Sequence, residues 1–128
     1  MRKKKLKKIL SSGLLTIMVF SFSMFSHGKT EAEHVDEHCP TLNGEVEHIL
    51  PDNTRIDCLT EYSAIEYDFT YKWYECVGQA MYYRVMTDKQ AVCILIRKNG
   101  TDIELEHIER ALKTVKYYHV PVHILVKE

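Results

Sequence analysis

The chain alternates, shifts to a helical period, then alternates again. Gly44 to Leu50 places Val46, His48 and Leu50 on one side and Glu45, Glu47 and Ile49 on the other, which predicts a strand. Pro51-Asp52-Asn53-Thr54 is a turn signal, and Arg55 to Leu59 returns as a second strand, so the two form a hairpin. Thr60 to Tyr62 turns again, and Ala64 to Phe69 is a third strand. From Tyr71 to Met86 the period changes. Trp73, Cys76 or Val77, Ala80 and Arg84 form one stripe, and Lys72, Glu75, Gln79 and Tyr83 form another, at the three- and four-residue steps of a helix. Ala91 to Ile96 is a continuous apolar run, as in a strand buried on both faces. Thr101 with Glu104 is a capping-box pair that opens a helix striped by Leu105, Ile108, Leu112 and Val115. Val120 to Val126 is a last short strand. Upstream, Glu31 to Cys39 is a polar short helix or arm, broken at Pro40 to Gly44.

The order helix, three strands, helix, strand, helix, strand predicts an α/β (α+β) fold, a mixed central sheet flanked by helices. The 128 residues hold one domain, preceded by a segment of different character. Arg2, Lys3, Lys4, Lys5, Lys7 and Lys8 are followed by an apolar run from Leu14 to Phe25, the layout of a secretory signal peptide. Residues 1–28 are expected to be that signal, cleaved after Gly28 or as late as Ala32, and 29–128 a single exported domain. The run is shorter than the ~20 residues a spanning helix needs, so no stable membrane anchor is expected once the signal is removed. The expected location is secreted or periplasmic.

Cleavage changes the charge. The whole chain has 17 basic and 18 acidic residues, and the signal takes six basic ones, leaving 11 against 18 and a formal net of −7. An acidic domain does not bind nucleic acid through its bulk field; a local groove or a bound cation would be needed. Four cysteines, Cys39, Cys58, Cys76 and Cys93, allow three pairings, and spacing does not choose between pairing and simple burial. With no CxxC present, a zinc knuckle is unsupported. His34 and His38 are one helical turn apart, but an exposed polar arm accounts for them.

The chemistry concentrates between Arg55 and Tyr83. Glu66 and Asp68, two apart on a strand, project from one face, and Asp57 on the neighbouring strand can join them. Converging carboxylates repel unless a proton or cation lies between them. A hard ion, Mg²⁺ or Mn²⁺, takes two or three carboxylates plus water and can activate that water against a phosphoryl group. If the hairpin turns at Asp52-Asn53, Asp57 falls opposite His48 and Glu47 points away; a bulge reverses the two, so both are additional candidates.

Asp57, a spacer, Glu66-x-Asp68 and a helix bearing Gln79-x-x-x-Tyr83 resemble the PD-(D/E)XK nuclease superfamily, most of all its RecB-like branch with a Gln-x-x-x-Tyr helix. The likeness spans Glu31 to Ile96 and implies a restriction-endonuclease-like αβββαβ core. Asp57-Cys58-Leu59-Thr60, Ala64-Ile65-Glu66, Lys72-Trp73 and Gly78-Gln79 are also similar to a family of small bacterial proteins of unassigned function. The superfamily likeness implies Asp57 and Glu66 as metal ligands, Gln79 and Tyr83 lining the site, and one of Glu31, Glu33 or Glu37 as the first-helix acid. The chain departs from the pattern two residues after Glu66, where Asp68 replaces the lysine that positions the attacking water. Lys72, one turn before Glu75 and Gln79, is the candidate replacement.

Two function classes follow. One is an exported Mg²⁺- or Mn²⁺-dependent nuclease with Asp57, Glu66, Lys72 and Gln79 as catalytic residues, Asp57, Glu66 and Asp68 on the metal, and nucleic acid as partner. The other is a catalytically degenerate module of the same fold that only binds.

Overall fold

The computed structural model describes residues 28–128; the expected signal segment, apart from Gly28, lies outside them. Helix α1 spans Glu31–His38, followed by a 3-10 turn, Cys39–Leu42. Strands β1 (Glu45–Ile49), β2 (Arg55–Leu59) and β3 (Ser63–Phe69) form a meander; α2 (Trp73–Thr87), β4 (Gln90–Ile96), α3 (Asp102–Tyr117) and β5 (Val122–Lys127) complete the domain. The five strands lie in sequence order, with β1, β2 and β3 antiparallel and β3, β4 and β5 parallel. This is the mixed sheet with helices that the periodicity predicts, in the order αβββαβ followed by a second helix–strand crossover. Among the described residues no helix is long and apolar enough to cross a membrane.

Strand alternation sorts the core into two layers. Ala91, Cys93 and Leu95 of β4 pack with Cys76, Val77 and Ala80 of α2 and with Ile108 and Ala111 of α3, so both crossover helices cover one face. Ile65, Tyr67, Val92, Ile94 and Ile96 point the other way, against Val35 and Cys39 at α1. Glu66 and Asp68 share the parity of Ala64, which packs against Tyr83, so they belong to the α2 side.

Helix α1 is opened by Thr30, whose hydroxyl accepts the Glu33 N–H while Glu33 accepts the Thr30 N–H. Two disulfides tie helices to strands: Cys39–Cys58 joins the end of α1 to β2, and Cys76–Cys93 joins α2 to β4. All four cysteines are fully buried. Gly44 is the residue that lets the chain pass the first disulfide, because a Cβ there would lie 2.5 Å from both Cys39 and Cys58 Sγ.

The hairpin differs from expectation by one residue. Leu50 N–H donates to Thr54 O, and the loop is the three residues Pro51 to Asn53, with Asn53 left-handed at φ 67°. His48 therefore pairs with Ile56, and Glu47, itself at φ 55°, stands opposite Asp57. Helix α2 begins at Trp73 rather than Tyr71, behind a 3-10 turn at Thr70–Lys72.

Candidate functional site: carboxylates in a split sheet

The sheet opens at Asp57. The β2–β3 ladder pairs Leu59 with Ala64 and Cys58 with Ile65, and no further pair follows. Beyond it, side chains take the place of ladder partners: Asp57 N–H donates to Glu66 Oε1 at 3.2 Å, and Tyr67 N–H donates to Asp57 Oδ2 at 2.9 Å. Ile56 packs in the α2-side core and Cys58 in the α1-side core, although a regular strand would put both on one face. Strand β2 thus turns over at Asp57 and carries that carboxyl into the gap.

Two cavities meet there. On the α2 side a cavity of about 500 Å³ is lined by Asp57, Glu66, Gln79 and Tyr83 together with hairpin residues. On the α1 side one of about 250 Å³ is lined by Glu31, Glu47, Arg55, Asp57 and Tyr67. Of the two hairpin candidates, Glu47 shares a cavity with Asp57 and pairs with Arg55 at 3.3 Å. His48 instead contacts Glu45 at 2.9 Å and is absent from the lining of both cavities. A larger open cavity, about 700 Å³, lies at the end of α3 among Lys113, Lys116, Tyr117 and Tyr118. The buried acids of β3 are absent from its lining, so the chemistry is placed in the split.

Helix α2 fixes the walls. Tyr83 OH donates to Arg55 O at 2.8 Å, and Tyr82 OH donates to Asp52 in the hairpin loop. Tyr83 thereby clamps β2 to α2. Gln79, one turn earlier, faces the cavity.

Glu31 is the acid that α1 contributes. Its Oε1 accepts the Phe69 N–H at 3.2 Å, and both its oxygens accept from Lys72 Nζ, at 2.9 and 3.0 Å. Glu33 is used in the helix cap and Glu37 pairs with Lys29 on the surface. Lys72 Nζ also lies 3.6 Å from Asp68, the position where the superfamily pattern has lysine.

These acids are perturbed by where they sit. Glu66 is 3 % exposed, and burial, reinforced by the facing Asp57 carboxylate, pushes its pKa up to about 9. Burial also raises Asp57, against the Tyr67 N–H that favours its charged form. Asp68 is pushed up to about 7, first by burial and then by Glu31, with Lys72 opposing. The hydrogen bond to Glu31 holds Lys72 above its ordinary value.

Among the described residues no three His, Cys, Asp or Glu side chains form a ready metal cluster. The donor set is Asp57 and Glu66, two hard-oxygen groups: Glu66, buried, accepts the Asp57 N–H, and Asp57, half-buried, accepts the Tyr67 N–H. That set suits Mg²⁺, which uses one or two carboxylates and keeps several waters. Asp68 is joined to Lys72 rather than to this pair. No family model, curated protein or solved structure matches the chain.

Proposed function

We infer that the protein is a PD-(D/E)XK-type, divalent-metal-dependent nuclease that works outside the cytoplasm. The observation that carries this reading is the Asp57–Glu66 pair, brought together where the sheet splits, with Glu66 buried and Asp57 half-buried beside it. Two acids so close, one of them buried, are held only if a proton or a metal relieves their repulsion, and such perturbed groups in a cleft mark function.

Asp57 and Glu66 would hold Mg²⁺ or Mn²⁺. Held there, the ion would supply polarisation of a phosphoryl oxygen and a more acidic water. Hydrolysis then needs a group that accepts the proton of the attacking water. Asp68, poised near neutrality and standing in the lysine's place, is suited to that exchange at pH 7. Lys72 holds Asp68 and Glu31 in place and lends positive charge beside a phosphate. Gln79 orients the substrate from α2, and Tyr83 keeps β2 where Asp57 is needed. Two buried disulfides fit an exported protein.

A second reading, a binding module that no longer cleaves, is favoured by the two bonds that tie Lys72 to Glu31. Cleavage of mixed single- and double-stranded DNA and RNA in Mg²⁺ and Mn²⁺ separates the two. Cutting that disappears in EDTA and in Glu66→Ala, with the variant folded, supports the nuclease. A folded protein that cuts none of these substrates removes it in favour of the binding module.

A further inference from the structure

The surface beside the acids indicates which form of nucleic acid fits, and the inference rests on the nuclease reading above. Strand β3 ends in Phe69, and Tyr71 stacks on it with ring centres 6.1 Å apart and planes 13° from parallel. Lys98 Nζ lies 5.5 Å from the Phe69 ring centre, and Lys72 Nζ lies 5.9 Å from that of Tyr71. Lys72 also bonds Glu31, which lines the same cavity as Asp57. One lysine thus joins the aromatic pair to the acid cluster. Tyr71 is 57 % exposed, and Tyr74, three residues on, is 59 % exposed.

Duplex binding depends on a basic track that displaces counterions from phosphates. From Lys29 onward this chain has 11 basic residues against 18 acidic ones, and in the α1-side cavity the acids Glu31, Asp36, Glu47 and Asp57 face a single basic residue, Arg55, which pairs with Glu47. Phosphate contacts therefore supply little of the affinity. Aromatic rings supply it another way, because any base presents a π-face to stack on, and bases are free to stack only where the strand is single.

We propose that the site takes single-stranded nucleic acid, with bases stacked on Tyr71 and Tyr74 and Lys98 beside an adjacent phosphate, and that it excludes duplex. With Lys98 and few other cations at hand, few phosphates are neutralised, so the salt dependence should be shallow beside that of a groove that tracks many phosphates.

The test uses fluorescence anisotropy of a labelled single-stranded octamer and the matching duplex. The oxidised protein is held in Ca²⁺, which supports oxygen coordination. Cleavage of the same octamer is followed separately in Mn²⁺. The single strand should bind at least tenfold tighter than duplex, and its affinity should fall less than about tenfold between 50 and 200 mM salt. Tyr71→Ala should weaken binding about tenfold, with Tyr71→Phe close to wild type. Tyr74→Ala is the independent second variant if Tyr71→Ala does not fold. Equal binding of duplex, a steep salt dependence, or unchanged binding in a folded alanine variant overturns the proposal. Single-strand binding without cleavage removes the nuclease reading and leaves the stacking surface standing. Cleavage with unchanged binding in the tyrosine variants does the reverse.

Discussion

Glu66→Gln tests the electrostatic account of the site. Glu66 ordinarily titrates near 4.5, and in the folded protein burial and Asp57 carry it to about 9. The metal-free native state therefore holds a proton that the unfolded chain has released. With a raised folded-state pKa, this contribution is complete below about pH 4.5 and declines as pH rises toward 9. At roughly 1.36 kcal/mol per unit, the interval from 4.5 to 7 amounts to about 3 kcal/mol. Gln keeps the oxygen that accepts the Asp57 N–H and removes the titration. The variant should be more stable than its parent by about 3 kcal/mol at pH 7 in EDTA, on the order of 10 °C in Tm for a domain of this size. The difference should shrink toward pH 5. Mn²⁺ should raise the Tm of the parent and leave the variant where it was. Thermal melts followed by circular dichroism from pH 5 to 9, with and without Mn²⁺, measure all of this. A variant no more stable than its parent at pH 7 would refute the reasoning. So would a variant whose advantage over the parent does not change with pH.

Two further outcomes follow from the same contacts. Cys76 and Cys93 close a loop of sequence separation 17, so replacing both with Ser should lower stability by about 3 kcal/mol. A urea midpoint corresponding to less than about 1 kcal/mol would show that the tie contributes little. Lys72→Met removes the cation that lowers Asp68, so Asp68 should titrate above 7 and the acid limb of the pH–rate profile should move to higher pH. An unmoved limb would take Lys72, or Asp68, out of the mechanism.

Much of this was legible in the chain, and the parts that were not have physical reasons. Periodicity, turn signals and apolar runs located the five strands and the two crossover helices, because a half-buried strand and an amphipathic helix repeat differently. Glu31 to Cys39 stayed open between helix and arm, and the 3-10 turns at Cys39–Leu42 and Thr70–Lys72 carried no pattern. The hairpin register was not legible. Hydrophobic alternation tolerates a two- or a three-residue loop, and the left-handed Asn53 decides for three. Glu31, Glu33 and Glu37 were equivalent in sequence; Glu31 is singled out only by Phe69 and Lys72, about forty residues away. Alternation put Glu66 and Asp68 on one face of β3, but that both are buried follows from α2 covering that face, which the strand alone does not show. The cysteine pairing likewise depends on which helix lies over which strand.

The disulfides stand in a particular relation to the acids. Cys58 follows Asp57 directly, and Cys93 is the ladder partner of Glu66. Each covalent tie therefore sits within one position of a carboxylate that burial makes unfavourable. Closing loops of separation 19 and 17 restrains the unfolded chain by about 3 kcal/mol each. That is the same size as the cost of Glu66 at neutral pH, and a domain's whole margin is only about 5 to 15 kcal/mol. The sheet is also weakest here, since β2 and β3 exchange no ladder bonds past Cys58. A thiol reductant would remove the compensation where the repulsion is greatest, so the split between β2 and β3 is where reduction should first open the fold.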